Sequence, residues 1–152
     1  MKIKSKFLDE IEIESDQVII FPEGLPAFEE ERQFVIIPFA PDSPFFYLQA
    51  VANQQLCFIL ADIFTFFPGY EIEIGPREMR RLKIEENGQA SLNVFTLLTI
   101  PEVFADTTAN LLAPVIVNFE QRVGVQLIPE ISRYHTKHPL FEEVLSPAQG
   151  GR

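Results

Sequence analysis

The chain has 152 residues, 47% of them apolar, with fifteen Phe, twelve Pro, no Trp, one Cys and a formal net charge of −10. That length and apolar content fit a single domain with a real core and exclude a disordered chain. The apolar runs are short and broken by Pro, Asp or Thr, which excludes a helical membrane span. The single Cys57 excludes an internal disulfide framework and suits a reducing cytoplasm. The start, where lysines alternate with other residues and acids follow at once, does not read as a signal peptide.

Along the chain the hydrophobic period is mostly two. Residues 11–14 alternate Ile with Glu, the mark of a half-buried strand with a negative wet face. Residues 17–21 and 34–37 are β-branched or aromatic runs, each stopped by a proline, Pro22 and Pro38. Residues 45–51 and 56–60 flank a four-residue loop and read as a hairpin. Residues 70–74 alternate as a short strand carrying Glu71 and Glu73 on one side. Residues 76–83 predict one short helix, with Pro76 at its first position, Glu78 early, and Arg80, Arg81 and Lys83 late. Glu86-Asn87-Gly88 then turns the chain into a strand over 91–100. Residues 115–119 pair with 125–128 across a turn in which Gly124 suits the left-handed position. Residues 140–145 add a turn of helix, and 146–152 read as a flexible C-terminal tail. The expected fold is all-β: a compact, antiparallel, β-barrel-like single domain over residues 1–145 with one or two short helices.

Two features point to recognition rather than chemistry. The first is the stretch 21–28, Phe-Pro-Glu-Gly-Leu-Pro-Ala-Phe. Pro22 and Pro26 remove two amide donors and forbid regular structure, while Gly24 frees a tight turn. Phe21, Leu25 and Phe28 therefore either fold back onto a core or meet a partner, and both readings stand. The second is charge placement: residues 7–31 hold nine acids and no Lys or Arg. Such a surface repels phosphate, which argues against direct nucleic-acid binding, and it steers a basic protein partner. Glu10, Glu12, Glu14, Glu71 and Glu73 are the candidate contacts.

Signals for catalysis are thin. His135 and His138 are three apart, but Pro139 and the neighbouring Lys and Arg argue against a helical metal site. Cys57 lies in an apolar run with nothing local to lower its pKa. Asp62 follows an apolar strand and is explained as a turn residue accepting a backbone bond. No phosphate loop, nucleophile elbow or cysteine cluster is present in the sequence. An enzyme or ligand-binding barrel with a site near Asp62 and His138 stands as the alternative. Phe45, Phe46, Tyr47, Phe64, Phe66, Phe67 and Tyr70 are too many rings for one face of short strands. The wall is therefore either overlain by loops or exposed as a protein-binding patch.

Several stretches, in order, resemble the FliW family of flagellar assembly factors. They are residues 21–26 with Phe28-Glu29; Pro44 through Gln49; Phe66-Phe67-Pro68 with Tyr70-Glu71-Ile72; 108–118; and Tyr134 with His138-Pro139-Leu140. Ala27 departs from a glycine common there, which argues against a need for positive φ at this position. Gln54 and Gln55 fall in a hairpin that is usually more acidic. The resemblance implies a cytoplasmic, non-enzymatic partner switch; the residues themselves suggest no cofactor or metal, and with nothing like a dimerisation helix the expected free state is a monomer. It implies that the protein holds flagellin, is freed when flagellin is exported, and then binds the RNA-binding repressor CsrA and relieves its repression. It favours binding away from the repressor's RNA face.

Overall fold

Strands whose successive side chains point to opposite sides close into a barrel once both faces find cover. The computed structural model describes residues 1–84, 91–130 and 132–141. Its strands are β1 (Lys2–Ser5), β2 (Asp9–Glu12), β3 (Ile19–Ile20), β4 (Gln33–Pro38), β5 (Phe45–Ala50), β6 (Cys57–Asp62), β7 (Asn93–Thr99), β8 (Thr108–Asn118), β9 (Val123–Gln126) and β10 (His138–Pro139). Two short helices, α1 (Ile63–Phe66) and α2 (Pro76–Arg81), lie between β6 and β7. The strand order β8-β7-β6-β5-β4-β3-β9 returns to β8, so seven strands form a closed barrel. Every pairing in it is antiparallel except β3 with β9, which meet in parallel at Ile20 and Val123. Along one edge β8 takes β10 at Thr108–Ala109 and β9 further on.

The barrel interior follows the period-two pattern. Phe34 and Ile36 of β4, Phe46 and Leu48 of β5, Phe58 and Leu60 of β6, Phe95 and Leu97 of β7, and Val115 and Val117 of β8 all point inward. Fully burying such a side chain stabilises by roughly 1.5–3 kcal/mol. Outside β7, β8 and β9 lies a second apolar layer, where Ile63, Tyr70 and Leu82 cover Val94, Leu111, Ile116 and Val125. A third, smaller layer packs the β1–β2 hairpin, through Ile3 and Ile13, onto Val35 of β4. The wall is thus overlain by loops and helices over much of its outer face. That is why a sequence with so many aromatics covers most of them at least in part, with Phe21, Phe34, Phe95 and Tyr70 buried.

The structure departs from the sequence reading in several places. Residues 70–74 alternate in burial but form no strand. Their apolar side chains, Tyr70, Ile72 and Ile74, pack instead into the second layer. Gly124 has no positive φ; the left-handed residue of the β8–β9 turn is Arg122, at 56°. Gly124 sits instead inside β9, where a Cβ would come within 2.7 Å of the Phe21 ring. Strand β1, whose lysines hid its alternation, pairs with β2 from Lys2–Glu12 to Ser5–Asp9. The turn after Asp62 is a helix, α1. The predicted turn at 86–88, most of the terminal helical turn and the tail at 146–152 lie outside the described residues.

Candidate functional site

The 21–28 loop is built from two consecutive turns, each with proline in second place. The Gly24 amide donates to the Phe21 carbonyl at 2.8 Å, and the Phe28 amide to the Leu25 carbonyl at 2.7 Å. Gly24 takes φ 63° and leaves no space for a side chain, since a Cβ would meet the Glu29 backbone at 2.6 Å. Ala27, third in the second turn, takes φ 72°, as a type II turn requires. The position therefore does need positive φ, contrary to the expectation from its being alanine. The loop turns two of its three apolar side chains inward. Phe21 is 0% and Leu25 2% exposed, and Phe21 meets Phe34 edge-on with ring centroids 5.3 Å apart. Only Phe28, 40% exposed and set against Phe58 at 5.8 Å, is open to a partner.

The candidate acids form two separate sets. Glu10, Glu12 and Glu14 are exposed on and just after the β1–β2 hairpin. Glu12 pairs with the N-terminal amine at 2.9 Å and Glu10 with Lys2 at 4.0 Å. Glu71 and Glu73 line a cleft of about 420 Å³ with Tyr70, Pro114, Leu127, Arg133 and Tyr134. There Arg133 donates to Glu71 at 2.7 Å and to the Tyr134 hydroxyl at 3.0 Å. No ion pair or cleft among the described residues joins the two sets. The acid-only stretch is also less bare than its sequence implied. Arg81 and Arg77 of α2 reach back to Glu23, the latter at 3.9 Å. In the sequence Arg81 was legible only as a dipole partner of its own helix, and Arg77 was given no role. A cleft of about 390 Å³ separates that loop from α2 and β9, with Pro22, Glu23, Arg77, Arg81 and Val125 on its walls.

The residues weighed for catalysis have structural roles. Asp62 caps α1, accepting from the Thr65 amide at 3.0 Å and the Thr65 hydroxyl at 2.7 Å. Burial pushes the Cys57 thiol up to about 11, outweighing the opposing pull of Lys6 and of the Leu48 backbone. Such a thiol is protonated at neutral pH and a poor nucleophile. His138 accepts the His135 amide at Nε2 (3.0 Å), and the two imidazoles stack with centroids 3.7 Å apart. No grouping of three His, Cys, Asp or Glu able to hold a metal occurs among the described residues. Nor, among those residues, is any helix long and apolar enough to cross a membrane.

One residue that sequence reasoning passed over organises the hairpin end of the barrel. Gln49 is fully buried on the outer side of β5 beneath the β1–β2 hairpin. Its Oε1 accepts the Lys6 amide at 3.0 Å, and its Nε2 lies within 3.1–3.3 Å of the carbonyls of Ala50, Asn53, Gln54 and Leu56. One side chain thus ties the acidic hairpin to the 51–56 loop. Its only signal in the sequence was its place at the end of the motif stretch Pro44 through Gln49.

The profile described as FliW protein matches residues 2–140. The chain belongs to the FliW family. A flagellar assembly factor FliW from Syntrophomonas wolfei is 43% identical over 151 residues, covering 99% of this chain and 96% of that protein. The FliW of Bacillus subtilis is 42% identical over 143 residues, covering 94% and 99%. A crystal structure of the flagellar assembly factor FliW superposes with a TM-score of 0.85 at 38% identity, over 92% of this chain and 96% of that one. The FliW resemblance read from the ordered motifs is therefore correct, and with it the all-β barrel.

Proposed function

We propose that this chain is a non-enzymatic, protein-binding regulator of flagellar assembly in the cytoplasm. It binds a CsrA-type RNA-binding repressor and antagonises its hold on RNA, and it holds flagellin as a chaperone-like partner switch. Free of partners it is a monomer, and it does not bind nucleic acid itself. The observation that carries this reading, beside membership of the FliW family, is the acidic hairpin. Glu10, Glu12 and Glu14 stand exposed on an element fastened to the barrel by Ile3 and Ile13. Acids on a preformed platform attract a basic partner and speed its docking. Glu71 and Glu73 supply a second acidic face, and Phe28 an exposed apolar contact. Phe21 and Leu25 act from the core, by holding the loop in shape. Antagonism works from outside the repressor's RNA face, since phosphate mimicry would require the acids to stand on a preformed RNA-like path.

Titration against the purified repressor tests this. Reversing Glu10, Glu12 and Glu14 to Lys weakens binding by about tenfold or more and flattens its salt dependence. Unchanged affinity with no salt dependence in the parent protein sinks the electrostatic part. In competition, RNA raises the apparent Kd only to a plateau; a rise without limit means direct occlusion. A pull-down from cytoplasmic extract that recovers neither flagellin nor the repressor defeats the reading as a whole.

A further inference from the structure

A chain of touching aromatic rings runs over the outer side of β5 and out onto three loops. Phe7, from the β1–β2 turn, stacks on Tyr47 at 5.8 Å, and Tyr47 stacks on Phe39 at 4.3 Å. Phe39 meets Phe45 at 5.8 Å, and Phe45 meets Phe104, before β8, at 6.4 Å. Phe104 then meets Phe141 at 5.3 Å. The covering layers described above do not close over this belt: Phe39 is 44%, Phe7 52%, Phe104 53% and Val103 58% exposed. Isolated exposed rings are ordinary, but a contiguous set is characteristic of a binding surface, with aromatics at the centre and polar groups at the rim.

The rim has a sign. Within three residues of a belt ring along the chain stand the exposed acids Asp9, Glu10, Asp42, Glu102 and Asp106, against two lysines, Lys4 and Lys6. Of these, Lys6 already lies over the Phe7 ring at 5.5 Å and Glu10 pairs with Lys2. A second copy of the chain would bring a like-charged rim and a further net charge of −10 against the first, which disfavours self-association. We propose that the Phe7–Tyr47–Phe39–Phe45–Phe104 belt is a docking surface for an amphipathic peptide segment whose apolar face is flanked by Lys or Arg. It takes Asp9 and Glu10 of the hairpin into its rim and is distinct from the Glu71–Arg133 cleft.

The probe is a fluorescein-labelled helical peptide of Leu and Lys with its leucines on one face, and a second peptide with Glu for Lys. Anisotropy titration compares the full chain with Phe39→Ser, Phe104→Ser and Val103→Asp, each checked by circular dichroism and melting temperature. The expected result is binding of the Lys peptide by the parent, weakened about tenfold or more in each folded variant, with the Glu peptide bound far more weakly. Val103→Asp keeps the test decisive should a Phe variant misfold, because Val103 is the most exposed of these side chains. Equal affinity for parent and variants, no binding of the Lys peptide, or equally tight binding of the Glu peptide overturns the assignment. So does a parent dimer in sedimentation equilibrium that Val103→Asp makes monomeric, which would make the occupant a second copy.

Discussion

Ala27 and Gly24 stand three residues apart with nearly the same backbone, φ 72° and 63°, yet only one is glycine. A left-handed conformation costs an L-residue roughly 1–2 kcal/mol relative to glycine, part of which glycine returns through its greater freedom when unfolded. Ala27→Gly should therefore stabilise the protein by up to about 1 kcal/mol, seen as a rise of a few degrees in melting temperature. Gly24→Ala should do the reverse and more strongly, because strain adds to a clash with the Glu29 backbone; a neutral result for Gly24→Ala would contradict the geometry. Gln49 poses the complementary case of a polar group in a dry place. Gln49→Leu keeps the volume but strands the Lys6 amide and strips the 51–56 carbonyls of their shared donor. Such a loss costs about 2–4 kcal/mol, counting desolvation of the stranded groups. The accompanying sign is loosening of the acidic hairpin, read as faster amide exchange at Lys6. None of this was legible in the sequence. A residue's φ and a buried glutamine's partners are set by contacts made across the fold, not by neighbours in the chain.

At the scale of elements, what the sequence showed depended on whether period and pairing coincide. Strands β4 to β7 alternate and also find partners on both sides, so the residue pattern announced them correctly, whereas of β8 (Thr108–Asn118) it announced only the part from 115 on. Residues 70–74 alternate equally well, but their apolar side rests on the outside of the sheet and their backbone joins no ladder. Periodicity encodes which side is buried, not which strand is adjacent. The acids were legible by position, whereas their division into two sets, and the answering Arg77, Arg81 and Arg133, depended on where non-local elements pack. Tyr70 anchors this segment by donating to the Leu111 carbonyl at 2.8 Å. Burial, with the neighbouring Tyr134 phenol, pushes its pKa up to about 12 from an ordinary value of 10.0. In that interval the folded state holds a proton that the unfolded state has released, so stability falls as pH rises. The contribution is complete below pH 10 and is lost through about pH 12. Urea unfolding at stepped alkaline pH should show the decline, and Tyr70→Phe should flatten it between those limits. A slope unchanged in that variant would mean another group carries it.

For the whole molecule, the decisive question is where a closed barrel opens first. Seven of its strands make a ring, but the links differ greatly in strength. β8 spans eleven residues, Thr108–Asn118, and is paired along both edges, whereas β3 has only two residues, Ile19–Ile20. The parallel seam between β3 and β9 is a single pairing, Ile20 with Val123, supported by the Ile20 amide donating to the Arg122 carbonyl at 2.9 Å. So few hydrogen bonds cannot hold a barrel shut. The apolar plug does that work: Phe21 follows directly in the chain, lies over the space left by Gly124 of β9, and packs edge-on against Phe34. Truncating Phe21 to Ala removes a fully buried ring, which costs about 3–5 kcal/mol, and it does so beside the weakest seam; Phe21→Leu, which keeps a shorter apolar side chain, costs less. Native-state hydrogen exchange should accordingly find Ile20 opening at lower free energy than the β7–β8 ladder in the parent protein. In Phe21→Leu the gap should widen: the Ile20 amide loses protection by a larger factor than Val94 or Phe95 of β7. Equal losses at both places would mean the barrel opens only as a unit, and that the double-proline loop stabilises it globally without guarding the seam.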